Sequence, residues 1–289
     1  MSELLQRLIA SQDVAGASTR VLLVTFRDLG MTHAANVGVF EALATTHASA
    51  SVAVPCPWAR EASARYRGED VGVQLTLNAQ HDLYRWGPIT HAPSLVDGIG
   101  GFPRTTNDLW EHADLDEVRR ESRAQIERAK AWGFDVTHLV SHLDALALRP
   151  EFFDVLLDLA DEFNLPLGLP DPDQSSLAGF PLRMLAANEG VLFPDETVDL
   201  MHHSPTALSL ETLFASLPGG VTELRFSPTI ASPEIETLST EWHHEVAQYV
   251  YLSSTVRSLE QLARSHNIGL VTFAALRKLQ RLDRGAGSS

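Results

Sequence analysis

The sequence predicts an α/β fold of the (β/α) barrel kind, mainly parallel and irregular in places, from three observations. Short apolar runs recur along the chain with helical patterns between them, the mark of βα units and a parallel sheet. Eight such runs can be counted. The length of 289 residues suits one barrel of about 250 residues better than one open sheet.

The first strand is expected at residues 21–26, the second at 51–55 and the third at 71–78. The fourth falls at 136–142, the fifth at 165–169 and the sixth at 198–202. The seventh and eighth fall at 221–226 and 268–273. Thr32 can cap a helix carrying Ala34, Val37, Phe40 and Leu43. Asp114 and Glu117 make a capping-box-like start to a helix over 115–132, which Gly133 ends. Pro150 suits the first turn of a helix over 151–163, where Phe153, Leu156, Leu157 and Ala160 form an apolar stripe. Leu208, Leu213 and Phe214 mark another helix, and 242–263 is helical with a break near Ser253-Ser254. The stretch 79–112 reads as a long non-helical cover over the barrel mouth. Leu4, Leu5, Leu8 and Ile9 give a short amphipathic helix suited to the barrel floor. The organisation is therefore an N-terminal helical extension over 1–20, one TIM-like barrel domain over 21–280 and a flexible tail over 281–289.

Composition narrows the function. A net charge of -15 disfavours nucleic acid and anionic membrane as partners. Cys56 is the only cysteine, so neither an intrachain disulfide nor a cysteine-based zinc cluster can form. No stretch approaches the roughly 18 apolar residues of a membrane span. Glu3, Arg7 and Asp13 interrupt any leader-like run. A cytoplasmic protein acting on a small-molecule ligand is the expectation.

Barrel chemistry sits where strands end and loops begin. Arg27, Asp28 and His33 follow the first strand. Gln74, Thr76 and Asn78 alternate along the third and so share one side. His138 and His142 share one side of the fourth, with Asp144 just beyond. His202 and His203 end the sixth strand and Ser227 the seventh. A buried Asp28 would need a cation or donors to compensate its charge. Trp58, Trp86, Trp110 and Phe102 lie in or beside loops, where they suit an apolar pocket or a sugar-stacking surface.

Several ordered segments resemble the YdjC-like carbohydrate deacetylases, which remove N-acetyl groups from chito-oligosaccharides and related sugars. Thr25-Phe26-Arg27-Asp28-Leu29-Gly30 is similar to that family's Asn-Ala-Asp-Asp-Phe-Gly. Gly72-Val73-Gln74-Leu75-Thr76-Leu77 resembles Gly-Leu-His-Leu-Thr-Leu. Thr137-His138-Leu139-Val140-Ser141-His142 resembles Thr-His-Leu-Asp-Ser-His, and Thr222-Glu223-Leu224 with Ser227-Pro228 resembles a later Thr-Glu-Leu and His-Pro. The likeness runs from about Val21 to Leu276. It implies a divalent metal held by one carboxylate and two histidines, a base-like carboxylate and, at family level, a homodimer.

Carried over residue by residue, Asp28 and His142 match two metal ligands. Gln74 replaces the third ligand, Arg27 the base, Val140 an Asp beside the metal histidine and Ser227 a later His. Gln is a weaker ligand than imidazole, Arg cannot act as a base, and its charge opposes a cation. The leading expectation is a barrel repurposed to bind and transform a small organic ligand, as in specialised metabolism, with no catalytic metal and no cofactor. Asp28, His142, Arg27 and His33 are the expected catalytic set. Gln74, Thr76, Asn78, Trp86, His138, Asp144, His202 and Ser227 are the expected ligand-binding set. The alternative is a deacetylase of N-acetylated sugars with a reorganised metal site, in which His138, His33 or Asp144 joins Asp28 and His142. A second alternative is a non-catalytic binding protein.

Overall fold

The computed structural model describes residues 2–11, 14, 18–201, 203–254 and 258–286. All eight apolar runs form strands: β1 Arg20–Leu29, β2 Ser49–Val52, β3 Val71–Leu75, β4 Leu139–Ser141, β5 Leu167–Gly168, β6 Glu196–Asp199, β7 Gly220–Phe226 and β8 Gly269–Val271. Their pairings are parallel, in the order β5-β4-β3-β2-β1-β7-β6. The sheet curls into an irregular TIM-like barrel. It does not close as a regular eight-strand ring among the described residues. β7 pairs with β1 along Arg20–Phe26, so β8 cannot insert between them. It pairs with β1 at Val21–Leu23, on the edge that β2 takes higher up, at Thr25–Leu29. At the β5–β6 side, side chains replace the ladder: the Leu169 carbonyl accepts from Thr197 Oγ1 (2.9 Å) and from Arg225 (2.8 Å).

Local signals act as their chemistry requires. The Thr32 hydroxyl accepts from Ala35 N–H at 3.0 Å and starts the helix His33–Thr45. Asp114 accepts from Asp116 and Glu117 N–H and starts Leu115–Ala131. The helix Pro150–Phe163 begins one residue earlier than its apolar stripe suggests, with proline in the first turn. The break near Ser253-Ser254 separates Trp242–Ser253 from Leu259–Ser265. The N-terminal helix Glu3–Ala10 buries Leu4, Leu5 and Leu8 against Val21, Val221, Leu276 and Leu279. Each such leucine contributes about 1.5–3 kcal/mol.

Two expectations need correction. The cover at 79–112 is not wholly non-helical: Thr105 caps a helix Thr106–His112, and Pro93–Leu95 forms a 3-10 turn. Arg85 pins this cover, bonding the Phe102 carbonyl at 2.6 Å and pairing with Asp97. At the other end, the helix Phe273–Ala286 runs through most of the expected tail, and Gln280 on it donates to Asn164 and accepts from Leu192 N–H. Residues 287–289 lie outside the described residues. Among the described residues no helix is long and apolar enough to cross a membrane.

The helix His33–Thr45 packs against the segment after β7 at Gly38, where an added Cβ would collide with the Pro228 carbonyl. Gly38→Ala is expected to destabilise the fold by about 1–3 kcal/mol, the cost of overpacking, despite its gain of about 1 kcal/mol in helix propensity. Urea unfolding measures it, and an unchanged or raised midpoint would refute the tight contact.

Candidate active site

A cavity opens at the C-terminal ends of the strands and is lined by Arg27, Asp28, Gln74, His142 and Ser227 from the expected set. On a regular strand Arg27 and Asp28 would face opposite ways. Here the β1–β2 register shifts between Phe26 and Leu29, and Asp28 takes φ 65°. This left-handed residue in a bulge turns both side chains into the cavity.

Gln74 ties the floor together. Its Nε2 donates to Asp28 Oδ1 at 3.0 Å and to His142 Nδ1 at 2.7 Å. Its Oε1 accepts from Asp28 N–H at 3.1 Å and from Ser51 Oγ at 3.3 Å. The Asp28 N–H can only donate and its carboxylate can only accept, so these contacts fix which way the amide points. His142 Nδ1 is then an acceptor, and its Nε2–H donates to Gln80 Oε1 at 2.9 Å. Burial holds the His142 pKa down at about 4, against the pull of Asp28, so the ring is neutral at pH 7. Burial pushes the Asp28 carboxyl up, but Arg27, His142 and the Gln74 bond outweigh it, and its pKa falls below the usual value.

Arg27 does not pair with Asp28. Its two terminal nitrogens grip Asp199 at the end of β6, at 2.8 and 2.9 Å. That bidentate pair explains how a guanidinium only 8% exposed is tolerated beside the cavity. Sequence reasoning misses Asp199. The signal is there indirectly, because a buried arginine at a barrel mouth requires a carboxylate partner.

Other expected site residues lie elsewhere. His33 is exposed on its helix, with its ring 5.0 Å from that of Trp58. β3 ends at Leu75, so the alternation that grouped Gln74 with Thr76 and Asn78 does not continue. Thr76 bonds the Gln74 carbonyl (2.7 Å) and Gln125, while Asn78 donates to the Pro103 and Thr105 carbonyls. Trp86 is buried and donates to the Asn78 carbonyl at 2.9 Å, which makes it a loop anchor. Phe102 is buried too, and Trp110 donates to the Ala145 carbonyl, so neither forms the cavity wall. His138 precedes β4 and stacks on Phe273 at 3.9 Å in the core. Asp144, turned by left-handed conformations at Leu143 and itself, faces Arg225 at 4.0 Å. His202 lies outside the described residues.

Cavity residues with no sequence signal complete the wall: Gln80, His81, Met201, Thr229, Ile235 and Glu245. Glu245 sits in the first turn of Trp242–Ser253 and accepts from Thr229 Oγ1 at 3.1 Å. Burial, and next the Asp28 charge, raise its pKa to about 7.

The strands and this cavity define an α/β barrel with a polar strand-end site. The chain belongs to the YdjC-like protein family, whose model matches residues 21–261. A carbohydrate deacetylase of Thermus thermophilus is 35% identical over 240 residues, 81% of this chain and 86% of that protein. A carbohydrate deacetylase of Thermoanaerobacter pseudethanolicus is 26% identical over 262 residues, 89% of this chain and 100% of that one. A solved structure from Enterococcus faecalis V583, described as a putative cellobiose-phosphate cleavage protein, shares the fold at TM-score 0.74 and 23% identity, covering 89% of this chain and 98% of its own.

The two carbohydrate deacetylases contradict the leading expectation of a metal-free barrel repurposed for a small organic ligand, and they fit the alternative expectation better. The Gln74 amide nitrogen, a donor, lies between Asp28 and His142, the two matched ligands. Among the described residues no three His, Cys, Asp or Glu side chains converge as a metal cage. The donors in this arrangement do not fit a three-ligand divalent metal.

Proposed function

We propose that this chain hydrolyses the acetyl group from an N-acetylated sugar. The observation that carries the reading is the extended similarity to the Thermus thermophilus carbohydrate deacetylase, at 35% identity across 86% of that protein. The cavity suits the chemistry. Asp28 and the neighbouring Ser227 hydroxyl offer polar atoms to a sugar. Met31, Ile235 and Leu238 supply an apolar wall for its C–H face. Asp28 stays a carboxylate, and His142 a neutral ring, across the physiological range.

The test is acetate release by purified protein from a panel of N-acetylated mono- and oligosaccharides, run with chelator, with zinc and with nickel. Release of acetate with appearance of a free sugar amine is expected. No release from any sugar under all three conditions would overturn the reading. Gln74→Ala removes the amide that holds Asp28 and His142 together. Loss of hydrogen bonds to charged groups costs about 1.5–3 kcal/mol, so kcat/KM is expected to fall by roughly ten- to hundredfold. An unchanged kcat/KM would show that the network does not position the reacting groups.

A further inference from the structure

We propose that Glu245, delivered by the helix Trp242–Ser253, is the proton-transfer residue of the cavity. The inference rests on the deacetylase reading above. Most ionisable groups in the cavity are already engaged. Arg27 is held by Asp199. Asp28 and His142 are held by Gln74, and the second nitrogen of His142 by Gln80. His81 Nδ1 is bonded to the Leu238 carbonyl at 3.2 Å. Glu245 lines the same cavity, yet among the described residues its side chain has one hydrogen bond, from Thr229 to Oε2. Oε1 has no described partner, and no described cation pairs with the carboxylate. The Thr229 N–H also bonds the Glu245 carbonyl at 3.3 Å, so backbone and side chain are fixed to the same residue.

The charged groups acting on Glu245 are Asp28 and Arg27 from β1, with neutral Thr229 beside it and His142 and His81 on the cavity wall. Burial and Asp28 favour its protonated form and Arg27 opposes them, which leaves it poised near neutrality. A group poised there can both take and return a proton. As water adds to the acetamido carbonyl carbon, the Glu245 carboxylate accepts the water's proton. The C–N bond then breaks, and the Glu245 acid returns the proton to the departing nitrogen. The products are acetic acid, which releases its proton to solvent and becomes acetate, and the free amine.

The experiment compares wild type, Glu245→Gln and Glu245→Asp on short chito-oligosaccharides. It records kcat, KM, the pH profile of kcat/KM and thermal unfolding. Wild-type kcat/KM is expected to rise with pH through about 7. Glu245→Gln is expected to lose this limb and about 10²–10⁴-fold in kcat, with KM little changed and no loss of thermal stability. Glu245→Asp is expected to keep the limb at reduced rate. An active wild type with a Glu245→Gln variant that keeps both limb and kcat overturns this inference alone. So does a loss confined to KM or to folding, which marks a binding or structural role. A wild type inactive on every sugar overturns the deacetylase reading and this inference with it.

Discussion

Glu223→Ala is expected to destabilise the protein by about 3–5 kcal/mol, the cost of leaving one member of a buried ion pair alone. Glu223 and Arg225 alternate on β7 and so share its inner face. Both are 1% exposed, and their side chains meet at 2.9 Å. Thr25 on β1 donates to the other Glu223 oxygen at 2.9 Å, and Arg225 reaches on to the Leu169 carbonyl and toward Asp144. β5 carries Gly168 at this level, where a Cβ would lie 3.2 Å from Arg225 and 3.4 Å from Glu223. Removing Glu223 leaves a guanidinium inside the barrel that faces only the Asp144 carboxylate, at 4.0 Å, among its described ion-pair partners. The double variant Glu223→Leu/Arg225→Met removes both charges and is expected to recover much of the loss. Equilibrium denaturation of the three proteins decides the point. A Glu223→Ala cost under about 1 kcal/mol would mean that water reaches the pair and screens it.

Acidification from pH 6.5 to 4.5 is expected to lower stability through two buried histidines, by about 2 kcal/mol for each. Burial depresses both His138 and His142 from 6.5 to about 4. A histidine with a lowered folded pKa binds its proton more readily when unfolded. Its contribution is therefore complete above 6.5 and is lost as pH falls toward 4. Each shift corresponds to about 3 kcal/mol at full extent. Glu245 works in the opposite sense. Its folded pKa lies above the ordinary value of 4.5, at about 7, so the fold gains stability from it as pH falls through that range. Asp144, also raised by burial, acts in the same direction as Glu245. Asp28, whose carboxyl is held below the usual value by Arg27, His142 and Gln74 against its burial, acts in the same direction as the two histidines. His138→Leu is expected to flatten the dependence and Glu245→Gln to steepen it. Urea midpoints at pH 6.5 and 4.5 measure all three, and a flat wild-type profile would show that the histidines exchange with solvent.

Much of the fold was legible from local chemistry. Apolar runs of strand length, the Thr32 and Asp114 caps and the Pro150 start each depend on residues near one another in sequence, so their outcome is largely local. That Asp28 and His142 line one cavity was legible for a related reason: polar groups at strand ends must meet at one barrel mouth. The alternation Gln74–Thr76–Asn78 misled because period two holds only while the strand lasts, and β3 stops at Leu75. His138 misled because its ring found a stacking partner, Phe273, far away in the chain.

By itself, then, the sequence determined the class of fold, the order of its elements and the family to which the chain belongs. Hydrophobic period and capping chemistry are properties of neighbouring residues, and motif positions can be read in line. Only the tertiary structure decided that β8 pairs beside β2 instead of closing the ring, that a bulge turns Arg27 and Asp28 inward together, and that Asp199 takes Arg27. It also decided that Glu245 reaches the cavity from a helix more than two hundred residues beyond Asp28. Each of these outcomes depends on which distant groups satisfy one another's charge and hydrogen bonds once water is excluded, and no local pattern encodes that choice.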